Sequence, residues 1–357
     1  MTLIIAEAGV NHNGDENMAL DLITAAYHAG ADIVKFQTFK AKNLVTAEAQ
    51  QAEYQIANSQ QKESQLAMLS RLELSYHSHH RLISHCKSLG IEFLSTAFDA
   101  ESLDFLVNDL GLTRLKIPSG EITNAPLILE HARTNCDLIV STGMATLAEV
   151  EAVLGVIAFG YIAEHNTPIN ESEFQQAYAS KAGQQALKQK VTLLHCTTEY
   201  PAPMAEINLN AMETLSHAFD LPTGYSDHSE GIIIPIAAVA KKAVVIEKHF
   251  TLDKNMPGPD HKASLTPDEL TQMVQAIRQI ETALGSKVKS PTLSEARNKV
   301  VARKSLVAAK SIQAGELFKH DNICIKRPGS GLSPFRYWDL LDKPAHHSYN
   351  EGDLILE

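Results

Sequence analysis

Eight short, β-rich apolar runs recur along the first 284 residues, and each finishes on polar side chains: "LIIAE", "DIVKF", "EFLST", "RLKIPS", "DLIVST", "VTLLHC", "LPTGYS" and "VVIEKH". Between them lie amphipathic stretches such as "MALDLITAAYHAG", "HHRLISHCKSLG" and "ESLDFLVNDLG", with apolar residues three and four apart and a closing glycine. That spacing predicts helices packed by one face. Thr146 with Glu149, and Thr266 with Pro267 and Glu269, fit a reciprocal N-terminal cap, and Asp99 can cap its own helix. Strands alternating with helices, with no long antiparallel section, predict a parallel sheet. Eight such units predict closure as a (β/α)8 barrel, with an open doubly wound sheet as the alternative.

Two segments interrupt the rhythm. Residues 40–65 follow the second strand at its C-terminal end and are a lid candidate; residues 159–190, ahead of the sixth strand, read as a helical insertion on the far side. After 1–284, residues 285–302 are polar and charged with a Ser-Pro and no strand, and read as a linker. Residues 303–357 hold short strands, tight turns and glycines, which marks a small β-rich domain near the lower size limit for folding alone.

Composition narrows the partners. With 44% hydrophobic and 20% charged residues, the chain is that of an ordinary globular protein. A net charge of -11 argues against a nucleic-acid binder, which needs a basic face, although local basic pockets for small anions remain open. No apolar run is long enough to span a bilayer. The start lacks a basic region ahead of its apolar residues, and the four cysteines are scattered without metal-binding spacing, so a reduced, cytoplasmic protein is expected.

In a barrel the C-terminal strand ends converge on one face, which carries the chemistry. Here those ends supply Glu7, Asn11 and His12; Lys35 and Gln37; Ser95 and Thr96; Lys116, Ser119 and Glu121; Ser141 and Thr142; His195, Thr197, Thr198 and Tyr200; Tyr225, Ser226, Asp227 and His228; and Glu247, Lys248 and His249. A single strand-end serine or threonine is as often a turn former or cap as a ligand contact. Lys35 and Lys116 differ, because each lies within an apolar strand where an unpaired ammonium is costly, and an anionic partner explains them. His228 and His249, on neighbouring strands, are placed to share a divalent metal with positions left open, although structural histidines are commoner than ligands. Asp227, Glu7 and Asp260 are candidates to complete that sphere or act as acid and base. His12, His195 and His261 are possible neighbours, whereas His77, His79 and His80 read as a solvated helix start. The glycines of "RPGSG" lie outside any strand-to-helix turn and carry little weight as a nucleotide loop.

These motifs together resemble the sialic acid synthase family. The resemblance runs through "IIAEAGVNHNGD", "VKFQTFKAKNLVTAEAQQAEYQ", "FLSTAFD", "LKIPSGEITN", "STGMAT", "LHCTTEYPAP", "GYSDHSEG" and "IEKHFTLDKNMPGPDH" to "VARKSLVAAKSIQAGELF" and "KRPGSGLSP", nearly the whole chain in fixed order. It implies a (β/α)8 TIM barrel followed by an antifreeze-like C-terminal domain, exchanged between the partners of a homodimer.

Carried over position by position, the resemblance implies that His228 and His249 hold the metal, expected as Mn2+ with Mg2+ or Co2+ as alternatives. Glu7 and Asp260 are implied to act with them in catalysis. Lys35, Thr96, Lys116, Ser119, Ser141, Thr198 and Ser226 are implied to bind phosphoenolpyruvate, with Thr198 standing where some members carry Asn. Gln37, Gln55 and Tyr200 are implied to bind the sugar, and Arg327 to meet its N-acetyl group with a rigid multiple donor. The first expectation for the reaction is condensation of phosphoenolpyruvate with N-acetylmannosamine and water, giving N-acetylneuraminate and phosphate by metal-dependent C–O cleavage. The alternative is a legionaminic or pseudaminic acid synthase acting on a di-N-acetylated 6-deoxy hexose. A non-catalytic carbohydrate-binding protein and a Schiff-base aldolase rank behind both.

Overall fold

The computed structural model describes residues 1–59, 62–164 and 166–356; Gln60 and Gln61 of the lid candidate and His165 of the insertion lie outside it. The chain divides into two compact units, Met1–Gly285 and Ser286–Glu357. Among the described residues no helix is long and apolar enough to cross a membrane.

In the first unit eight strands close into a barrel in sequence order: β1 (Leu3–Gly9), β2 (Ile33–Thr38), β3 (Glu92–Ala97), β4 (Arg114–Ile117), β5 (Asp137–Ser141), β6 (Val191–His195), β7 (Thr223–Asp227) and β8 (Val245–His249). All neighbours pair in parallel, and β8 closes onto β1. The open-sheet alternative is therefore excluded. Both faces of the strands are covered, one by the barrel interior and one by helices, which is why they read as near-continuous apolar runs. The predicted caps form: Thr146 and Glu149, and Thr266 and Glu269, satisfy each other reciprocally, and Asp99 Oδ1 accepts from Ser102 N at 2.9 Å.

Side chains alternate across a strand, and this parity sorts the barrel interior into tiers. Ile5, Ile33, Leu94, Ile139, Leu194 and Val245 form a separate apolar cluster that plugs the barrel. Gly224 belongs beside this plug because a Cβ there would lie 2.4 Å from the Val245 carbonyl oxygen and 2.7 Å from Leu194 Cδ2. Two residues further along the same six strands, on the same face, stand Glu7, Lys35, Thr96, Ser141, Cys196 and Glu247. The plug closes the floor, and the polar tier rests on it. The opposite parity feeds the main core against the helices, through residues such as Val34, Phe36, Leu115, Val140, Leu193 and Ile246.

The insertion contributes two helices, Glu171–Ala179 and Lys181–Lys190, of which the first packs edge-to-face on the helix Leu147–Ile162 through Phe174 and Phe159, ring centroids 5.2 Å apart.

The second unit has its own core of Leu306, Ala308, Ile312, Phe318, Ile323, Leu340, Ala345, Tyr349 and Ile355. A two-stranded antiparallel sheet, β9 (Ser305–Ala308) and β10 (Ile323–Lys326), anchors it. The stretch read as a linker is not structureless: Leu293–Ala302 is a helix, started by a reciprocal cap of Thr292 and Glu295.

Candidate active site

The C-terminal strand ends enclose a cavity of about 240 Å³. Glu7, Lys35, Gln37, Gln55, Thr96, Lys116, Ser119, Ser141, Thr198, Tyr200, Ser226, His228, His249 and Asp260 all line it, so the barrel residues to which the family resemblance gave a binding or catalytic role meet in one place. Arg327 belongs to the second unit, where it is exposed and its Nε donates to the Ala302 carbonyl at 3.0 Å. No described residue of 163–190 reaches the cavity wall.

At the floor, two ammonium groups and two carboxylates interleave. Lys35 Nζ lies 2.7 Å from Glu7 Oε2 and 3.6 Å from Glu247 Oε2, and donates to Thr96 Oγ1 at 3.1 Å. Lys116 Nζ lies 3.7 Å from Glu247 Oε1 and donates to Ser141 Oγ at 2.7 Å. Ser226 Oγ donates to Glu247 Oε1 at 2.9 Å. The two carboxylates respond oppositely to the same neighbourhood. Burial pushes Glu7 up to about 7, against the pull of Lys35 and with the help of negative Glu247. Burial opposes ionisation of Glu247 as well, yet Lys116, Lys35 and the Ser226 hydroxyl bring it down to about 2. A group near neutrality beside a permanently charged one is the pattern that divides acid–base work from electrostatic support.

Next to Lys116, Ser119 Oγ lies 3.2 Å from Cys196 Sγ and accepts from Gly143 N at 3.0 Å. Gly143 leaves this corner open, because a Cβ would come within 2.4 Å of Thr198 Oγ1 and 2.8 Å of Ser119 Oγ. Hydroxyls, a backbone amide and an ammonium around a small void suit a phosphate or carboxylate.

The histidines stand higher, with ring centroids 5.7 Å apart. His228 Nδ1 donates to the Thr197 carbonyl at 2.6 Å, which leaves Nε2 as the basic nitrogen; it accepts from the Tyr200 hydroxyl at 3.1 Å. His249 Nδ1 is buried without a hydrogen-bond partner, 3.8 Å from Asp260 Oδ2. Burial lowers His228 to about 4, and burial with the positive charge of its surroundings holds His249 well below the usual range. Burial raises Asp260 to about 6. Two neutral imidazoles, one oriented by a carbonyl, fit two ligands of a divalent cation. Among the described residues no set of three or more His, Cys, Asp or Glu side chains is arranged to hold one.

The lid candidate covers this mouth. Tyr54, on the helix Glu53–Ser59, stacks on Tyr200 at 5.1 Å, and Asn58 Nδ2 donates to the Pro259 carbonyl at 2.8 Å.

Several sequence expectations are corrected. Asp227 has the opposite parity to His228 and is spent on a fully buried ion pair with Lys248, at 2.6 Å, and on Ser229. His195 Nε2 is bonded to the Ile207 carbonyl at 2.7 Å, His261 Nδ1 to Thr251 Oγ1 at 2.7 Å, and His12 Nδ1 accepts from Gly14 N at 3.0 Å; none lines the cavity. His79 is not solvated but fully buried between Thr38 Oγ1, at 2.8 Å, and the Ser75 carbonyl, at 2.9 Å. Conversely, the sequence reading assigned no role to Glu247, Cys196 or Tyr54. The signal for the first two was available: each sits two residues beyond an interior plug residue.

Thr198 Oγ1 and His249 Nδ1, buried without a hydrogen-bond partner, belong to residues lining this one cavity, alongside Glu7 Oε2 and Glu247 Oε2, which face Lys35 at 2.7 and 3.6 Å without a directed hydrogen bond. Native interiors rarely tolerate such atoms, and their convergence marks a place built for something else to bind.

Comparison with known proteins finds relatives over nearly the whole chain. Residues 22–289 match the family described as NeuB family. The N,N'-diacetyllegionaminic acid synthase of Campylobacter jejuni subsp. jejuni is 52% identical over 356 residues, covering 100% of this chain and 99% of that protein. The synthase of the same name from Legionella pneumophila subsp. pneumophila is 43% identical over 353 residues, with 99% and 93% covered. Among solved structures, N-acetylneuraminic acid (sialic acid) synthetase from Leptospira borgpetersenii, in complex with citrate, aligns with a TM-score of 0.67 at 31% identity, covering 83% of this chain and 90% of that one.

Proposed function

The chain belongs to the NeuB family, and from that premise we propose that it is a legionaminic-type sugar-acid synthase. It condenses phosphoenolpyruvate with a di-N-acetylated 6-deoxy hexose and water, giving a 2-keto sugar acid and inorganic phosphate. The observation that carries the reading is the meeting, in one cavity, of two buried lysines, several hydroxyls and buried polar atoms that lack a directed hydrogen bond. The choice of sugar rests on likeness: 52% identity to a diacetyllegionaminic acid synthase against 31% to a sialic acid synthetase reverses the order expected from sequence, where N-acetylmannosamine stood first.

Each residue then has a task. Lys35 and Lys116 neutralise the carboxylate and phosphate of phosphoenolpyruvate, and Thr96, Ser119, Ser141, Thr198 and Ser226 supply hydroxyl donors around them. C3 of phosphoenolpyruvate forms the new bond to the sugar aldehyde carbon as the C=O π bond opens, and the aldehyde oxygen takes up a proton to become a hydroxyl. Water adds at C2, and the C2–O bond to phosphate breaks, so phosphate leaves with the bridging oxygen. Glu7, held near neutrality, accepts the proton from that water. Asp260, Gln37, Gln55 and Tyr200 orient the open-chain sugar above it. His228 and His249 would hold a divalent ion, expected as Mn2+, which supplies electrophilic polarisation of a carbonyl.

The test is phosphate release from phosphoenolpyruvate and the di-N-acetylated sugar, before and after chelation. Release that depends on added divalent ion, and that is lost in His228→Ala and His249→Ala, is expected. Wild-type rates in those variants would refute the assignment of the two histidines, and no release with any hexosamine would refute the reaction.

A further inference from the structure

Among the oxygen- and nitrogen-bearing side chains of the polar tier stands one sulfur, that of Cys196, which is 4% exposed and lines the candidate active-site cavity. The proposed chemistry gives it no task. Its surroundings are specific, because Sγ lies 3.2 Å from Ser119 Oγ, and the same oxygen accepts from Gly143 N at 3.0 Å. A Cβ on Gly143 would also come within 3.0 Å of Cys196 Sγ, so this thiol shares the small void that Ser119 and Thr198 border.

A hydroxyl has one proton to donate and two lone pairs with which to accept. The Gly143 N–H engages one lone pair of Ser119. The direction of the contact with sulfur follows from what the thiol can reach. Cys136 finds the Leu112 carbonyl at 3.3 Å, whereas Cys196, among the described residues, has Ser119 Oγ as its hydrogen-bond partner. Burial raises Cys196 above the ordinary thiol range, against the pull of Ser119, Lys116 and the Gly143 amide, so the proton stays on sulfur. A protonated thiol with one acceptor in reach donates to it. Both lone pairs of Ser119 are then filled, and its own proton is left to point into the cavity. Had the Ser119 proton gone to sulfur instead, the serine would offer an incoming anion nothing.

We infer that Cys196 is a positioning residue: its thiol donates to Ser119 and thereby holds the Ser119 hydroxyl as a donor toward the anionic end of phosphoenolpyruvate. The inference rests on the function proposed above. Its physical content is preorganisation, since a hydroxyl already turned toward the anion loses less freedom on binding than one that must be reoriented.

Two measurements test this, and the first needs no substrate. The S–H stretching band of Cys196, identified in the infrared spectrum of the full-length protein by its loss in Cys196→Ala, is expected below the frequency of a free thiol. It should rise when Ser119→Ala removes the acceptor. A band left in place by Ser119→Ala would overturn the assignment of the donor.

The second is calorimetric titration of the full-length protein and Mn2+ with phosphoenolpyruvate, without sugar. Ser119→Ala is expected to weaken binding about tenfold and Cys196→Ala about threefold, and Cys196→Ser, which keeps a donor, should lie closer to wild type than Cys196→Ala. The double variant should bind no more weakly than Ser119→Ala alone, because Cys196 acts through that hydroxyl. Losses that multiply in the double variant, or a Cys196→Ala protein that binds like wild type, would contradict the inference. Wild-type protein that shows the infrared shift yet binds no phosphoenolpyruvate would refute the proposed function, and the positioning role with it, while the Cys196–Ser119 bond would stand.

Discussion

Glu7 and Lys35 face each other inside the barrel with Oε2 and Nζ 2.7 Å apart, and neither side chain is more than 4% exposed. The separation is that of an ion pair, yet the carboxylate oxygen has no well-directed hydrogen bond and stays close to its protonation midpoint. Glu7 is therefore poised to exchange a proton without leaving its place. Glu7→Gln keeps the shape and removes that capacity. We expect kcat to fall about a hundredfold or more, with KM for phosphoenolpyruvate within a few-fold of wild type. Steady-state kinetics on both substrates check this, and an unimpaired kcat would remove Glu7 from the chemistry.

Glu247 has a different job. Its carboxylate stays ionised between Lys35 and Lys116 and is held by Ser226. Burial disfavours the charge on Lys116, and Glu247 is its principal support. Glu247→Gln should raise KM for phosphoenolpyruvate about tenfold while circular dichroism and thermal unfolding remain near wild type. A KM that falls instead would mean the carboxylate repels the substrate more than it supports the lysine.

Lys35 and Lys116 were legible in the sequence because an ammonium inside an apolar strand demands an explanation. The histidine pair was legible as a pair, and its reading as metal ligands leaned on the family resemblance, since residue pattern does not show which nitrogen is bonded to what. Asp227 misled the reading because it neighbours His228 in the chain; strand parity turns it to the other face, toward Lys248. The lid candidate was recognised by length and position, whereas the Tyr54–Tyr200 stack that seats it depends on a helix and a loop distant in sequence. No residue pattern marked Met68 and Leu72 as cavity-lining, since they lie beyond the segment recognised as a lid candidate.

The Asp227–Lys248 pair gives a stability prediction independent of catalysis. Both side chains are fully buried. Lys248→Met leaves the aspartate without its counter-ion and should cost about 3–5 kcal/mol. Adding Asp227→Asn should recover most of that loss. Urea unfolding of the single and double variants measures it, and an additive double variant would show that the two residues do not act as a pair.

Acid should destabilise the barrel through its buried histidines. His131 Nδ1 donates to the Leu127 carbonyl at 2.8 Å and its Nε2 is buried without a partner; His79 is similarly enclosed. Burial lowers both to about 4, from about 6.5 in the unfolded chain. The unfolded state thus binds more protons between those values, so stability is full above about 6.5 and declines as pH falls toward 4. At pH 5 each histidine should cost about 2 kcal/mol relative to pH 8. His131→Leu should remove its share of the slope. Urea midpoints at the two pH values provide the check, and an unchanged slope in the variant would exonerate His131.

Competition between sugars tests the central claim most directly. Full-length protein, phosphoenolpyruvate, a divalent metal and equal amounts of the di-N-acetylated 6-deoxy hexose and N-acetylmannosamine are combined in one vessel, and the two product acids are resolved by mass. The account predicts that the diacetylated product dominates early turnover, with one phosphate released per product formed. Predominant N-acetylneuraminate would contradict it.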